Sequence, residues 1–307
     1  QLREGGISAP ILVMSYTPPA LVDAAVQHDL TLAVTEPDVA GALSASAVAA
    51  CQRVPVHIKV DSGMGRFGLL ADEVLPFVEA IAALPGLVIE GLFSHFAAAD
   101  SADKTYTRQQ LETFQTVRAR LAASGYAIPL CHVANSAATL DLPEMHLNAV
   151  RIGIALYGLH PSNEVEPVVP LQPALALKSH VARVRTLPAG SSISYGRTYI
   201  TPRAMPVALI PVGYGDGYHR LMSNRGAVLI HGQRAPIVGR VCMDQFVVDV
   251  STVESVKVGD EVVLIGCQGA ACIRAEEVAG WAETINYEVT TSLLPRVPRL
   301  YRELTEL

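Results

Sequence analysis

From residue 10 to about residue 160, short runs rich in β-branched residues alternate with stretches whose apolar residues recur every three or four positions. The runs are PILVM (10–14), LTLAV (30–34), VHIKVD (56–61), VIEGLFSHF (88–96), LCHVANS (130–136) and AVRIGIALYGL (149–159). Between them helices are expected over 19–29, 36–52, 71–84 and 107–125. Strands that are apolar throughout and joined by helices imply a parallel sheet covered on its outside, either doubly wound or closed as a barrel. In a barrel the chemistry gathers at the C-terminal ends of the strands. Those ends carry Lys59, Asp61, His95, His132, Asn135 and Arg151.

The texture changes after the Pro-rich stretch 160–173, a poor helix or strand former. Short strands separated by Gly, Pro, Asp and Asn turns follow, as in an antiparallel domain. This predicts a (β/α) domain over 1–168 and a mostly β domain over 169–307. With 307 residues, half of them hydrophobic and 17% charged, the chain can fill both cores. The net charge of −6 is scattered and leaves no basic face, so neither nucleic acid nor a membrane surface is an expected partner. Five cysteines without a CxxC pair disfavour a disulfide framework and a zinc site, and no metal is expected. A reducing cytoplasm is the expected compartment. The opening QLREGG has no leader pattern and reads as the last turn of a helix ending at glycine.

Several segments concentrate chemically able residues. KVDSGMGRFGL (59–69) sets Lys59, Asp61 and Arg66 around glycines just past a strand end; GLFSHFAAAD (91–100) holds His95. CHVANSAA (131–138) places Asn135 and Ser136 before a helix, where they serve a phosphate or simply cap the helix. Arg151 stands inside an apolar run, and a buried guanidinium needs a partner that stays in the site. In the second domain SISYGRTY, PVGYGDGYHR and GRVCMDQF gather aromatic, Gly and charged residues at loops. Singly, each has a plainer reading as a Gly turn, a satisfied histidine, a cap or a hairpin aromatic.

Together, KVDSGMGRFG, HFAAAD, HVANSAA, VRIGIALYG, ISYGRTY, PVGYGDGY, GRVCMDQ and NYEVTT…RVPR resemble, in this order, the bacterial alanine racemases, which are pyridoxal-phosphate enzymes. The resemblance spans essentially the whole chain. It implies a (β/α)8 barrel followed by a mostly β domain, a head-to-tail homodimer, and interconversion of L- and D-alanine for peptidoglycan. Carried over by motif, Tyr195 resembles the acid/base that acts from the neighbouring subunit, aided by His95. Arg151 matches the arginine at the pyridine nitrogen, with His132 steadying it. Ser136 and the amides of Gly153 and Ile154 match phosphate contacts, while Arg66 and the Met243 amide match substrate-carboxylate contacts. Lys59 aligns with a lysine carbamylated in many members; Tyr214, Asp100, Arg220 and Arg240 align with the substrate entryway.

The sequence departs from the family in two places. The family's first strand bears the lysine that forms the Schiff base, in a pattern like VVKANAYGHG, whereas the four lysines here, Lys59, Lys104, Lys178 and Lys257, lack that context. Together with six predicted strands in place of eight, this describes an incomplete barrel lacking about two βα units, and a chain expected to be inactive by itself. Pro295 stands where some members have a tyrosine near the phosphate. A decarboxylase of similar architecture would set a carboxylate at the ring nitrogen, which Arg151 argues against. A serine or broad-specificity racemase, and a noncatalytic fragment or dimer partner, remain open at this point.

Overall fold

The computed structural model describes residues 1–165 and 168–302; Glu166 and Pro167, within the predicted Pro-rich linker, and residues 303–307 lie outside the described residues. The chain divides into two units, Gln1–Leu156 with His160–Pro170, and Tyr157–Leu159 with Leu171 onward.

The first unit is built on five parallel strands in sequential order: β1 (Ile11–Val13), β2 (Leu30–Val34), β3 (Val54–Lys59), β4 (Leu87–Phe93) and β5 (Leu130–His132). Helices connect them: α1 (Val22–Gln27), α2 (Pro37–Ala49), α3 (Val74–Ala82), α4 (Thr105–Ala123) and, after β5, α5 (Ser136–Asp141). Pro37 opens α2, a position whose N–H needs no intrahelical partner. In α4 the buried residues Thr107, Gln110, Phe114, Val117 and Leu121 recur at helical spacing and mark the face turned to the sheet. Val56, Ile58 and Val60 join Leu43, Val78 and Phe114 from the helices in one apolar cluster. At the start of the chain Gly6, at φ 85°, closes a helical turn with Gly6 N–H to Arg3 O and Ile7 N–H to Leu2 O, a glycine cap of the Schellman type.

The sixth expected strand, 149–159, is not one. Asn148 and Arg151 do run beside β5, donating N–H bonds to Cys131 O and Ala134 O. The ladder goes no further: Ile154–Tyr157 is a 3-10 turn and Gly158 sits at φ 76°, so the backbone curls after Arg151. Arg151 is therefore a loop residue, not a strand residue. The observed sheet is an open, incomplete barrel of five strands.

The second unit is mostly antiparallel. One sheet orders β13 (Phe246–Asp249), β10 (Met205–Ile210) and β7 (Arg183–Leu187). Another contains β12 (Gln233–Pro236), β11 (Ala227–Ile230), β14 (Glu261–Gln268) and β15 (Ala271–Ile273), with β6 (Leu177–His180) also on β14. The strands β8 (Ser192–Ile193) and β9 (Tyr199–Ile200) form a small hairpin, and α6 (Ala275–Trp281) and α7 (Asn286–Thr291) close the described chain. One expectation about cysteine is corrected here. The β14–β15 hairpin sets Cys267 directly opposite Cys272, Cα atoms 4.1 Å apart, and the two form a disulfide. Their QGAA spacer is a tight turn that forces this meeting.

Candidate active site

Side chains alternate across a strand, so the neighbours of Val56 and Ile58 on β3 fall on the sheet's other face. These are His57 and Lys59, both buried and both outside the apolar cluster. On β4 the same face presents Phe93, and on β5 it presents His132, whose ring stacks on Phe93 at 4.9 Å. Phe93 also lies 5.3 Å from Lys59 Nζ and 5.5 Å from Arg151 Cζ, close enough for its ring to attract both cations.

The Arg151 guanidinium is the hub. Its Nη1 donates to His132 Nδ1 (2.7 Å) and His132 O (3.0 Å). Its Nη2 donates to Ser94 O (2.6 Å), Val133 O (3.1 Å) and His95 Nδ1 (3.3 Å). Both terminal amino groups are thus spent, while Nε–H has no partner among the described residues. Burial draws Arg151 down to about 10, which still leaves it charged at neutral pH. Burial, then the Arg151 charge, pulls His132 to about 3 and His95 to about 4, so both rings are neutral acceptors. Lys59 is drawn to about 8, by burial first and Arg151 second, and its ammonium donates to Val60 O at 3.2 Å, its one hydrogen bond among the described residues.

The loop after β3 is built around Asp61, whose Oδ1 accepts the N–H groups of Gly63, Met64 and Gly65. Burial alone would raise that carboxyl; the three amide bonds and Lys59 bring it below its ordinary value. Tyr106 OH donates to Gly63 O and fixes the loop to α4. The loop presents Arg66 exposed, with no hydrogen bond or ion pair among the described residues. Asp100 is exposed on the loop after β4.

Asn135 and Ser136 divide the work that the sequence left undecided. Asn135 caps α5 through its side chain, which accepts Ala138 N–H at 3.1 Å. Ser136 Oγ accepts Gly153 N–H at 2.8 Å and Ala155 N–H at 3.4 Å, leaving its own O–H, and the Ile154 amide, without partners among the described residues.

The remaining candidates belong to the second unit. Tyr195 is 75% exposed on a turn where Ser194 (φ 63°), Gly196 (φ 72°) and Arg197 (φ 50°) all adopt left-handed backbone. Ser194 Oγ donates to Arg240 O at 2.8 Å, tying that turn to the Met243 loop. Tyr214 N–H bonds Cys242 O and Gly215 N–H bonds Met243 O, which brings Tyr214 beside Met243. Met243 is 60% exposed and its amide takes no partner among the described residues. Arg220 and Arg240 line one cleft of about 230 Å³ with Leu221, Ser223 and Arg225. Pro295 is exposed beside Arg296, which pairs with Asp216 at 2.7 Å.

Sequence reasoning missed Phe93, His57 and Glu90. The first two were within reach, since period-two spacing from Lys59 points to His57 and the same register leads across to Phe93.

Two family descriptions cover most of the chain: "Alanine racemase, N-terminal domain" matches residues 1–161 and "Alanine racemase, C-terminal domain" residues 174–301. An alanine racemase of Desulfosudis oleivorans is 48% identical over 98% of this chain and 80% of its own length. One from Desulforamulus reducens is 47% identical over 98% and 81%. Among solved structures, alanine racemase of Clostridium difficile superposes with a TM-score of 0.92 at 38% identity, covering 99% of this chain and 79% of that one. That of Bacillus anthracis, with bound L-Ala-P, gives 0.90 at 40% identity, over 99% and 78%.

Proposed function

The chain belongs to the alanine racemase family, and from that premise we propose that its polar sheet face holds pyridoxal phosphate for the interconversion of L- and D-alanine. One observation carries this reading. Arg151 is a half-buried cation with every terminal N–H committed and its Nε–H left over among the described residues, a single donor suited to a ring nitrogen. The free Ser136 hydroxyl and Ile154 amide fit a phosphate; the Gly153 amide joins them by giving up its bond to Ser136.

Bound pyridoxal phosphate supplies the electron sink that acidifies the substrate Cα. A guanidinium does not readily give up its proton, so Arg151 hydrogen-bonds the ring nitrogen without protonating it. That limits the sink and favours return of the proton to Cα over side reactions. Arg66 holds the substrate carboxylate together with the Met243 amide of the second copy. Tyr195 exchanges the Cα proton on one face, from the second copy of a head-to-tail dimer, with His95 as its relay. Neutral His95 accepts from Arg151 at Nδ1, so its Nε2 carries a hydrogen to offer. Lys59, with its lowered amine, adds carbon dioxide with loss of a proton, and the resulting carbamate orients Arg66. Tyr214, Asp100, Arg220 and Arg240 line the way in. Among the described residues no helix is long and apolar enough to cross a membrane.

None of the four lysines serves as the base on the second Cα face. Lys104 is paired with Asp141 and Lys178 with Glu261, Lys59 is buried by the sheet, and Lys257 is exposed in the second unit. The test compares the chain as it stands with the chain preceded by a strand that bears a lysine in a VVKANAYGHG-like pattern. The extended protein racemises alanine and the 307-residue chain does not; Arg151→Glu in the extended protein raises transamination relative to racemisation. An unchanged ratio overturns the role of Arg151, and turnover by the 307 residues alone overturns the role of the missing lysine.

A further inference from the structure

Behind His132, on the side away from Arg151, stands a second histidine to which the reaction as read above gives no work. His57 Nδ1 lies 2.9 Å from His132 Nε2, and His57 Nε2 lies 3.4 Å from the Glu90 carboxylate. An arginine has no acceptor, so it must be the donor at His132 Nδ1. His132 is neutral, so its one hydrogen is then on Nε2 and is donated to His57 Nδ1. The hydrogen of His57 is left on Nε2, facing a carboxylate that can only accept. Every proton in the series Arg151, His132, His57, Glu90 therefore has one allowed position.

The backbone is shaped to hold this series. Register between β3 and β4 shifts after the pair Val56 with Ile89, so that His57 pairs with Gly91 and Glu90 is the extra residue. A bulge of this kind sets two residues opposite one. Here one of the two supplies the carboxylate and the other supplies room. A Cβ on Gly91 would lie 2.3 Å from Cγ and Nδ1 of the His57 ring, so only glycine lets the imidazole lie against β4. His57 is buried, and burial holds it below the ordinary histidine range despite the pull of Glu90. It is a neutral relay and not a second cation beside Arg151.

We propose that His57, held by the Glu90–Gly91 bulge, is a positioning residue that fixes the tautomer of His132 and through it the orientation of the Arg151 guanidinium. The proposal rests on the reading that Arg151 Nε–H meets the ring nitrogen of pyridoxal phosphate. With His57 in place, His132 has a lone pair on Nδ1 and holds Nη1 in the plane that leaves Nε–H directed outward. Without an acceptor behind it, only the Arg151 bond keeps the His132 hydrogen on Nε2, and a His132 that shifts it to Nδ1 gives up that bond.

Two measurements test this on the chain itself. In protein labelled with 15N-histidine, nitrogen shifts at about pH 8 report His57 and His132 each as a single neutral tautomer with hydrogen on Nε2. Glu90→Gln, a change at a half-exposed position that keeps shape, mixes the tautomers at both rings; His57→Phe mixes them at His132; His57→Gln, which offers an acceptor and a donor, restores the native form of His132. A wild-type His132 carrying hydrogen on Nδ1, or a His132 tautomer indifferent to His57→Phe, overturns the proposal. The second measurement is affinity for pyridoxal phosphate against its analogue with carbon in place of the ring nitrogen. Wild type prefers the cofactor, His57→Phe loses roughly tenfold of that preference, and His57→Gln retains it. If wild type does not discriminate between the two compounds, the reading of Arg151 fails. If it discriminates and His57→Phe discriminates equally, that reading stands and the role of His57 fails.

Discussion

Neighbouring residues of β3, and Val60 just after it, inhabit two different interiors. Val56, Ile58 and Val60 are wholly buried against α2, α3 and α4 in an apolar cluster. His57 and Lys59, each one residue away, are nearly as buried, yet they face another histidine, an aromatic ring and a guanidinium. Burial is the same on the two sides; what differs is whether a buried polar atom finds a partner. The helix face gains stability from area removed from water and tolerates no charge. The other face keeps charge out of water by hydrogen-bonding nearly all of it, and leaves over the few donors that a ligand needs.

The strongest way to break this contrast is to move a charge across the strand. Ile58→Lys places an unpaired ammonium in the apolar cluster and costs on the order of 5 kcal/mol, enough to abolish the cooperative thermal transition. Lys59→Met, one position on, removes a desolvated amine and leaves Tm unchanged or raised. Equal losses from the two substitutions, seen in melts by circular dichroism, would erase the distinction.

Next in size is Phe93, which belongs to the polar face but supplies its apolar floor. Phe93→Ala costs about 3–5 kcal/mol in urea unfolding and loosens Lys59 and Arg151 together. A loss below about 1 kcal/mol would show the ring to be dispensable there.

Acid discriminates the faces without mutation. His132 and His95 titrate near 3 and 4 when folded but near 6.5 when unfolded, so below pH 6.5 the unfolded chain binds more protons. Their contribution is complete above pH 6.5 and is lost as pH falls toward 3–4, at up to about 1.4 kcal/mol per pH unit for each ring. His57 acts in the same direction. Denaturant midpoints from pH 8 to pH 4 follow this slope, and His95→Phe flattens it; a flat wild-type profile would contradict neutral buried rings.

The smallest change is Gly91→Ala, which drives a methyl into the His57 ring and costs about 1–3 kcal/mol. The same substitution at Gly41 of α2, where a Cβ meets nothing, is neutral or stabilising. Reversal of that order would remove the reason for the glycine.

How much of this was readable in the chain depends on the range of the interaction that fixes each part. The five strands and their helices follow from local periodicity, and β3 was legible because its pattern is repeated on both sides of the sheet. The segment 149–159 misled because apolar β-branched residues look the same whether or not a neighbour completes the ladder; Gly153 and Gly158 were the warning. The meeting of Cys267 with Cys272 is set by a hairpin register that spacing suggests and composition does not. The meeting of Arg151 with His132 came from the resemblance, since no local rule joins positions 19 apart. The Glu90–Gly91 bulge was invisible, because one extra residue in a strand leaves no mark on a sequence until its partner strand is aligned with it.

The role proposed for Arg151 is to meet the cofactor's ring nitrogen with a hydrogen bond and without a proton. Its most direct measurement is the 15N shift of ring-labelled pyridoxal phosphate bound to the protein, in wild type and in Arg151→Glu. An unprotonated nitrogen in wild type that becomes protonated in the variant is the predicted result. A protonated nitrogen already present in wild type would contradict it.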